Sequence, residues 1–309
     1  MNSIFKGARN AAKITTQPGG RPPAAVEISP DGVLAAATPA AGGAPVYAFA
    51  PLPPGTLTPR LEGVNLQAPD AVAGAIRTTL DQTSPRTRAV TLVLADTLVR
   101  VFMLDFDSLP AKAAEAIPVL RFRLRKMVPF DVEHAAIGYQ VISQTRDECH
   151  VLTAVIPGAV LAEYEGAVRA AGYEPGAVLP SSLAALETMD DFAAVLAAHL
   201  SSQTLTTTIT NGQDLLLYRS LDLPENPAEQ PGEIQRGIAV AAAYFEDKLQ
   251  VRPQHLYYTG NAAIEEFAGW LADPDMTLVE LAPLPESGVL TPLGQASIAG
   301  VNGALAGAR

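Results

Sequence analysis

The sequence predicts an α/β protein made of two halves, each with its own mixed β-sheet. The chain has 309 residues, of which 48% are hydrophobic and 17% are charged, so it is long enough for two domains and can bury a substantial core. Predicted strands and helices follow the same order twice along the chain, which is typical of α/β folds. The halves join near 179–183, where Leu179 and Pro180 precede two serines.

The first half begins with three predicted strands and a helix. The Pro-Asp-Gly sequence at 30–32 is a strong turn signal between the first two strands. Apolar residues at helical spacing predict a helix over 69–82, and the continuous apolar run at 89–95 predicts a strand buried on both faces. We interpret the next apolar run, 98–104, as the hairpin partner of that strand, with the turn at Asp96-Thr97. The three initial strands are predicted at 24–28, 33–38 and 45–52.

A strand, a helix and a second strand over 104–142 form the segment around which the rest is organised. Asp107 and Ser108 are expected to cap the helix, with Pro110 in its first turn, and Pro129 is expected to end it. The predicted buried stripe consists of Ala113, Ile117, Leu120, Leu124 and Met127. The opposite face is basic with one aromatic residue, and it carries Arg121, Phe122, Arg125 and Lys126.

The remaining elements are predicted from hairpin and helix signals. The clearest hairpin signal is Asn211-Gly212, between strands predicted at 204–210 and 215–221. The hydroxyls of Ser181 and Ser182 are expected to cap a helix, or two helices joined near Asp190, that runs from about 183 to 200. The other predicted elements are strands at 135–142, 151–156 and 254–259 and helices at 158–171, 233–249, 264–271 and 291–306.

The charge distribution argues against one class of function. A net charge of −11 does not suit a nucleic-acid-binding protein, which needs a basic surface for the phosphates. Residues 1–23 carry only basic charges, and we interpret them as a flexible, solubilising tail. Pairing of this tail with an acidic surface or with anionic lipid is the alternative. Residues 253–308 contain acids and neither lysine nor arginine.

A search for catalytic and metal-binding motifs finds none. Cys149 is the single cysteine, which rules out an internal disulfide and a cysteine-rich metal site, and the four histidines are dispersed. No nucleophile elbow, P-loop or dinucleotide fingerprint is present. We therefore expect no catalytic residue and no metal site. Because the sequence shows no apolar run long enough to span a membrane and no signal-peptide core, a cytoplasmic location is expected.

Several segments of the chain carry short motifs. None of them alone is specific for a family, and their order and spacing carry the weight. They are Leu109-Pro110, the helix end at 128–133, the strand at 138–141, the segments 179–186, 211–220 and 233–260, and the end of the chain at 293–305. In this order they resemble a degenerate member of the PilM family, the cytoplasmic actin-like proteins of type IV pilus assembly. The resemblance covers most of the chain beyond Ala24.

This resemblance implies an actin-like (ribonuclease H-like) α/β fold of two domains, with a small α+β subdomain inserted in the first. The implied first domain covers 24–180, with the subdomain at about 87–156, and the second covers 181–290. Residues 291–309 are then a C-terminal helix that returns to the first domain. The family's nucleotide cleft lies between the two domains.

Departures from the family's nucleotide motifs predict that ATP is not hydrolysed. Actin-like ATPases have an aspartate and a glycine in the turn after the first strand, where this chain has Glu27-Ile28-Ser29. The second such turn reads Ser201-Ser202-Gln203, and the adenosine-side glycine pair reads Gly260-Asn261. Glu27, Ser29, Gly260 and Asn261 are therefore expected to be remnants of the cleft. We expect no enzymatic activity and no cofactor, with ATP and magnesium disfavoured.

The resemblance also implies a partner. In the PilM family the cytoplasmic N-terminal peptide of a membrane protein, PilN, docks beside the small subdomain. This chain is accordingly expected at the inner face of the inner membrane, as a scaffold of the platform for pilus extension and twitching motility. Arg121, Phe122, Arg125 and Lys126 are the candidates for peptide binding, and a solvated helix face is the alternative interpretation.

Other expectations concern further partners and competing functions. Contacts with other pilus platform proteins are expected, with none to nucleic acid and with the membrane reached only through partners. Two other functions stay open at this point. One is a nucleotide-binding, polymerising ATPase of the same fold, and the other is a cytoplasmic component of a type II secretion platform.

Overall fold

The computed structural model describes residues 21–39, 42–189, 194–212, 214–271, 276–282 and 297–307. Their strands are β1 Ala24–Ser29, β2 Gly32–Ala37, β3 Val46–Pro51, β4 Ala89–Leu94, β5 Arg100–Phe106, β6 Ala135–Gln144, β7 Cys149–Pro157, β8 Glu174–Pro180, β9 Ala194–Leu200, β10 Thr204–Asn211, β11 Asp214–Asp222, β12 His255–Gly260 and β13 Thr277–Glu280. Their helices are α1 Pro69–Thr83, α2 Ala113–Leu124, α3 Gly158–Ala170, α4 Ser181–Ala185, α5 Gln230–Leu249, α6 Ile264–Trp270 and α7 Ala299–Ala306.

The first domain is built on a sheet with the strand order β3-β2-β1-β4-β8. β1, β2 and β3 are antiparallel neighbours, whereas β1, β4 and β8 run parallel. β4 is almost completely buried, as its continuous apolar sequence predicts for a central parallel strand. Helices α1 and α3 pack against this sheet and against each other, and their apolar residues Ile76, Leu80, Tyr164 and Val168 are inaccessible to solvent.

The second domain repeats this arrangement with the strand order β11-β10-β9-β12-β13. β9, β10 and β11 are antiparallel, and β9, β12 and β13 are parallel. Gly212 adopts a φ of 59° between β10 and β11, which is the left-handed conformation that the Asn-Gly hairpin signal predicts. Helix α5 packs on β9 and β10 through its apolar face, where Ile234, Ile238 and Ala241 are buried.

The small subdomain consists of β5, β6, β7 and α2, and it begins later than the sequence predicts. Its antiparallel sheet has the order β5-β7-β6. β4 belongs to the first-domain sheet, so the subdomain covers Arg100 to Pro157 and not 87–156. The predicted hairpin at Asp96-Thr97 is wrong for the same reason. β4 already has parallel partners on both sides, and a 3-10 turn at Asp96–Leu98 leads the chain into the other sheet.

Helix α2 is shorter than predicted at its start. It begins at Ala113 after Lys112, with no side-chain cap, so Asp107 and Ser108 do not cap it. The strand before it continues to Phe106 because β5 pairs with β7 as far as Cys149. The helix buries Ala116, Leu120 and Leu124, whereas Ala113 and Ile117 are half-buried and Met127, beyond the helix end, is 41% exposed.

The helix predicted over 183–200 is also wrong, and this error has a greater consequence for the fold. The chain forms the short helix α4 and a 3-10 turn at Leu186–Thr188, and then strand β9 over Ala194–Leu200; residues 190–193 lie outside the described part. β9 is the central strand of the second sheet, between β10 and β12. The alanine-rich sequence of β9 favours a helix prediction, because a strand buried on both faces lacks an alternating pattern.

Both ends of the described chain pack on the first domain. α7 contacts β1, β2, β4 and α4, and the part of its predicted range at 291–296 lies outside the described residues. Arg21, which the sequence assigns to the flexible tail, is only 7% exposed and donates hydrogen bonds to the carbonyl of Gly303 and to Glu187. The tail prediction is therefore wrong for Arg21. Within the described residues, no helix has the length and apolarity needed to cross a membrane.

Candidate functional site

A small cavity lies where the two domains meet. It is lined at the carboxyl ends of three parallel strands of the first sheet and two parallel strands of the second. β1 ends at Ser29, β4 leads to Asp96, β8 leads to Ser181, β9 leads to Ser201 and β12 leads to Asn261, and all five residues line the cavity. Open α/β sheets bind their ligands at this edge. The cavity measures about 90 Å³, which is well below the roughly 300 Å³ at which ligand pockets usually begin.

Glu27 occupies the centre of the first-domain side. Its Oε1 atom accepts a hydrogen bond of 2.7 Å from the hydroxyl of Ser181, while its Oε2 atom is shielded from solvent and has no hydrogen-bond partner among the described residues. The pKa of this carboxyl is raised to about 7, chiefly by burial; the Ser181 hydrogen bond opposes the shift and the nearby Asp96 adds to it. The Ser181 hydroxyl therefore binds Glu27, and the sequence-based prediction that it caps the following helix is wrong.

Asp96 joins the two domains through hydrogen bonds to both of its carboxylate oxygens. Oδ1 accepts the backbone N–H of Ser182 at 3.1 Å, and Oδ2 accepts the hydroxyl of Thr206 on β10 at 2.8 Å. The hydroxyl of Ser182 lies 2.7 Å from that of Tyr218 on β11. The Asp96 side chain is buried, so these hydrogen bonds fix the position of β10 against the first domain.

A serine side chain forms a hydrogen bond within each of the two hairpin turns at the cavity, and in the turn after β9 it binds backbone N–H groups. The hydroxyl of Ser29 donates to the carbonyl of Gly32 at 3.1 Å and closes the β1–β2 turn. The hydroxyl oxygen of Ser201 accepts the backbone N–H groups of Gln203 at 3.3 Å and Thr204 at 3.0 Å. Backbone N–H groups in such turns are the usual cradle for phosphate oxygens. Here a side chain of the protein itself occupies that cradle.

Gly260 and Asn261 lie on the second-domain side of the same cavity. A Cβ at Gly260 would lie 2.7 Å from the carbonyl oxygen of Leu200, so the close packing of β12 against the end of β9 requires a glycine there. The backbone N–H of Asn261 donates to that same carbonyl at 3.2 Å. Glu27, Ser29, Gly260 and Asn261 are thus all brought to one cavity.

His199 is a cavity residue that the sequence did not single out for this site. It is half-buried at the end of β9, and its Nδ1 atom is shielded and lacks a hydrogen-bond partner in the described structure. Burial lowers the pKa of its imidazole, and the negative charge of Asp96 opposes that shift. The sequence does not place His199 at this site because it predicts a helix for that segment. It does not place Asp96 there because it predicts a hairpin turn at that residue.

The charges around the cavity are of one sign. Three carboxylates, those of Glu27, Asp31 and Asp96, are among the lining residues, and the described lining contains neither lysine nor arginine. A triphosphate in this position would meet negative charge without a protein cation to balance it. The described residues also contain no cluster of three or more His, Cys, Asp or Glu side chains that could hold a metal ion.

The predicted peptide-binding residues on α2 do not all face the same way. Phe122 is 75% exposed, and Lys126 is exposed four residues further on. Arg121 is half-buried, and its guanidinium donates to the carbonyl of Ala135. The exposed guanidinium of Arg125 pairs with Glu133.

The exposed surface of α2 therefore differs from the predicted one in composition. Val119, one turn before Phe122, is 38% exposed, and Arg123, which directly follows Phe122, is exposed as well. We call Val119, Phe122 and Arg123 of α2, together with Lys126 in the turn that follows the helix, the outer face of α2. Arg121 does not belong to this face, because its side chain is directed to β6.

The sequence matches no protein-family model and no curated protein. Among solved structures, the PilM–PilN type IV pilus biogenesis complex contains a chain that matches 93% of this one over 98% of its own length, with 18% identity and a TM-score of 0.67. A Bacteroides thetaiotaomicron protein with an actin-like ATPase fold matches 89% of this chain over 96% of its own, with 12% identity and a TM-score of 0.51. The cytoplasmic domain of EpsL, an inner-membrane component of the Vibrio cholerae type II secretion system, matches 87% over 92%, with 14% identity and a TM-score of 0.48. The chain therefore has an actin-like fold of two α/β domains, with the small subdomain inserted in the first.

Proposed function

We propose that this protein is a non-hydrolysing, actin-like scaffold of a type IV pilus assembly platform. It works at the cytoplasmic face of the inner membrane and binds the N-terminal peptide of a PilN-like membrane protein. The observation that carries the proposal is the exposed aromatic side chain on α2, in a fold whose cleft between the domains holds a small cavity with three carboxylates among its lining residues. The structural likeness to a protein described in a PilM–PilN complex supports this class of partner.

The outer face of α2 has the composition of a peptide-binding surface. Phe122 and Val119 offer apolar area one helical turn apart, and Arg123 and Lys126 add positive charge beside it. Aromatic side chains and arginine are the commonest anchors at interface hot spots. A peptide with apolar and acidic residues fits this surface, because its acids meet cations in a protein whose overall net charge is −11.

The cavity between the domains supports a role without hydrolysis. Ser201 accepts the N–H groups of the turn that would bind a phosphate, and Glu27 and Asp96 leave the site with excess negative charge. ATP binding here would require both hydrogen bonds of Ser201 to break and two carboxylates to approach a polyanion. The scaffold function therefore lies on the surface of the small subdomain and not in the cleft.

The test is binding of a labelled peptide from the N-terminus of the candidate membrane partner, measured by fluorescence anisotropy with the full chain. Phe122→Ala is expected to weaken binding at least about tenfold, which is the cost of removing a hot-spot aromatic side chain. Lys126→Glu is expected to weaken it further as the salt concentration falls, because the repulsion of an acidic peptide is then less screened. Val240→Ala, at an exposed valine of α5 in the second domain, is the matched control.

Two outcomes would contradict the proposal. Equal affinity of the peptide for Phe122→Ala, Lys126→Glu and the unsubstituted chain would show that the outer face of α2 is not the docking surface. A tight, magnesium-dependent ATP signal in titration calorimetry would instead show that the cleft is a working nucleotide site. The two measurements are independent, so either part of the proposal can fail alone.

A further inference from the structure

Helix α7 is bound to both domains. On the second-domain side, the hydroxyl of Thr259 at the end of β12 donates a hydrogen bond to the hydroxyl of Ser297, two residues before the helix. On the first-domain side, α7 contacts β1, β2 and β4, and the hydroxyl of Tyr47 in β3 donates to the side-chain oxygen of Asn302. The helix therefore acts as a strap between the two domains.

Two glycines let the backbone of α7 lie directly on the first domain. A Cβ at Gly300 would lie 2.6 Å from Glu27 Oε2 and 2.7 Å from the hydroxyl oxygen of Ser181. A Cβ at Gly303, one helical turn further on, would overlap the carbonyl oxygen of Ala184. This packing leaves no space for a water molecule between α7 and Glu27 Oε2, which is shielded from solvent and has no hydrogen-bond partner among the described residues.

The groups around Glu27 make its ionised form costly. The segments α7, α4, β2 and β4, which pack around it, contain no charged residue. Asp96, after β4, adds a negative charge that raises the pKa of Glu27, and the cavity beside it is also lined by Asp31 and His199, an imidazole whose pKa is lowered by burial. The guanidinium of Arg21 binds near the other end of α7, and the described cavity lining contains neither lysine nor arginine. Ionisation of Glu27 therefore places an unbalanced negative charge under the strap.

We propose that α7 is a pH-sensitive strap, which is seated on the first domain while Glu27 is protonated and is released when Glu27 ionises. A buried carboxylate is unfavourable until water or a donor reaches it. Because α7 packs through glycine backbone, no side-chain rotation can admit water, and the helix has to move away as a unit. Release also breaks the contact of Ser297 with Thr259, which loosens the second domain from the first. This device is independent of the outer face of α2.

The test is hydrogen–deuterium exchange of the full chain at pH 5.5 and pH 8, corrected for the pH dependence of intrinsic exchange. A raised carboxyl pKa means that the closed state is favoured below pH 4.5 and loses this advantage as the pH rises to about 7. If Glu27 regains a pKa of 4.5 on opening, the opening equilibrium of α7 should rise on the order of 25-fold between the two pH values. Amides of α7 should also exchange faster than those of α3 at pH 8, because α3 stays packed on its sheet when the strap opens.

Variants separate release of the strap from unfolding of the whole chain. Glu27→Gln should remove the pH dependence of α7 exchange, because an amide does not ionise in this range. Ser181→Ala should enlarge it, because the hydroxyl of Ser181 stabilises the ionised carboxyl. Glu62→Gln, at an exposed acid outside the cavity, is the matched control and should respond as the unsubstituted chain does. Equal exchange of α7 and α3 at both pH values, or an unchanged pH dependence in Glu27→Gln, would overturn the proposal.

Discussion

Glu27 Oε1 lies 2.7 Å from the hydroxyl of Ser181, and this hydrogen bond ties the first strand of the chain to the start of α4, after β8. The pair lies beneath α7, because Gly300 leaves room for both side chains. A carboxyl group in an actin-like cleft is thus held by the protein's own hydroxyl. The consequences for stability can be measured at Glu27 and at the residues that surround it.

The first prediction concerns the pH dependence of Glu27. Burial raises the pKa of its carboxyl from 4.5 to about 7, so between these values the unfolded chain loses a proton that the folded chain retains. The contribution of this group to the unfolding free energy is therefore fully present below pH 4.5 and is lost as the pH rises to 7. In urea unfolding, the unfolding free energy of Glu27→Gln should fall less between pH 4.5 and 8 than that of the unsubstituted chain. The difference between the two losses should be at most about 3 kcal/mol. Glu62→Gln, at an exposed position, should leave the pH profile unchanged; identical profiles for all three proteins would contradict the burial of Glu27.

The second prediction concerns the packing of α7 on α4. A Cβ at Gly303 would overlap the carbonyl oxygen of Ala184, so Gly303→Ala should force the two helices apart and cost at least about 2 kcal/mol of unfolding free energy. Gly166→Ala on α3 is the control, because nothing lies within 4 Å of its added Cβ. That control should be neutral or stabilising by up to about 1 kcal/mol. Denaturant titration compares the two, and equal midpoints would show that α7 does not pack as described.

The third prediction concerns the link between the domains at Asp96. Asp96→Ala leaves the N–H of Ser182 and the hydroxyl of Thr206 without this acceptor, which should cost about 2–3 kcal/mol because the hydrogen bonds involve a buried carboxylate. Asp31→Ala removes an exposed acid of the same cavity and should change stability by less than about 0.5 kcal/mol. A double-mutant cycle with Thr206→Val should be non-additive, and strict additivity would show that the two residues do not interact.

The fourth prediction separates the two faces of α2. Leu120 is inaccessible to solvent, so Leu120→Ala should cost about 2–5 kcal/mol of unfolding free energy. Phe122 is 75% exposed, so Phe122→Ala should change stability by less than about 0.5 kcal/mol. Urea unfolding measures both, and a large loss for Phe122→Ala would mean that this side chain packs within the protein and is not available to a partner.

The errors of sequence interpretation share a physical cause. The run at 194–200 predicts a helix and the segment at 96–97 predicts a hairpin, because a strand buried in the middle of a sheet has apolar residues on both faces and no alternating pattern. Which strands are neighbours depends on long-range pairing, and local sequence does not contain it. His199 and Asp96 were missed as cavity residues for this reason.

The outer face of α2 shows a different limit. Helical spacing places Phe122 and Lys126 on one side, and the structure leaves both exposed. The spacing says nothing about what the long side chains of Arg121 and Arg125 contact, and both reach partners outside the helix, at Ala135 and Glu133. Only part of the basic segment 121–126 therefore forms an exposed basic surface that is available to a partner.

The sequence by itself determined the two α/β halves, the hairpin at Asn211-Gly212, the burial of Leu120 and Leu124 in α2 and the departure of Glu27 and Ser201 from nucleotide-binding turns. These features follow from local preference and residue chemistry. The tertiary structure alone decided that β9 is a central strand, that Arg21 is buried against α7, and that Glu27, Asp96 and His199 line one cavity. Residues far apart in the chain meet there because the carboxyl ends of parallel strands converge at one edge of each sheet.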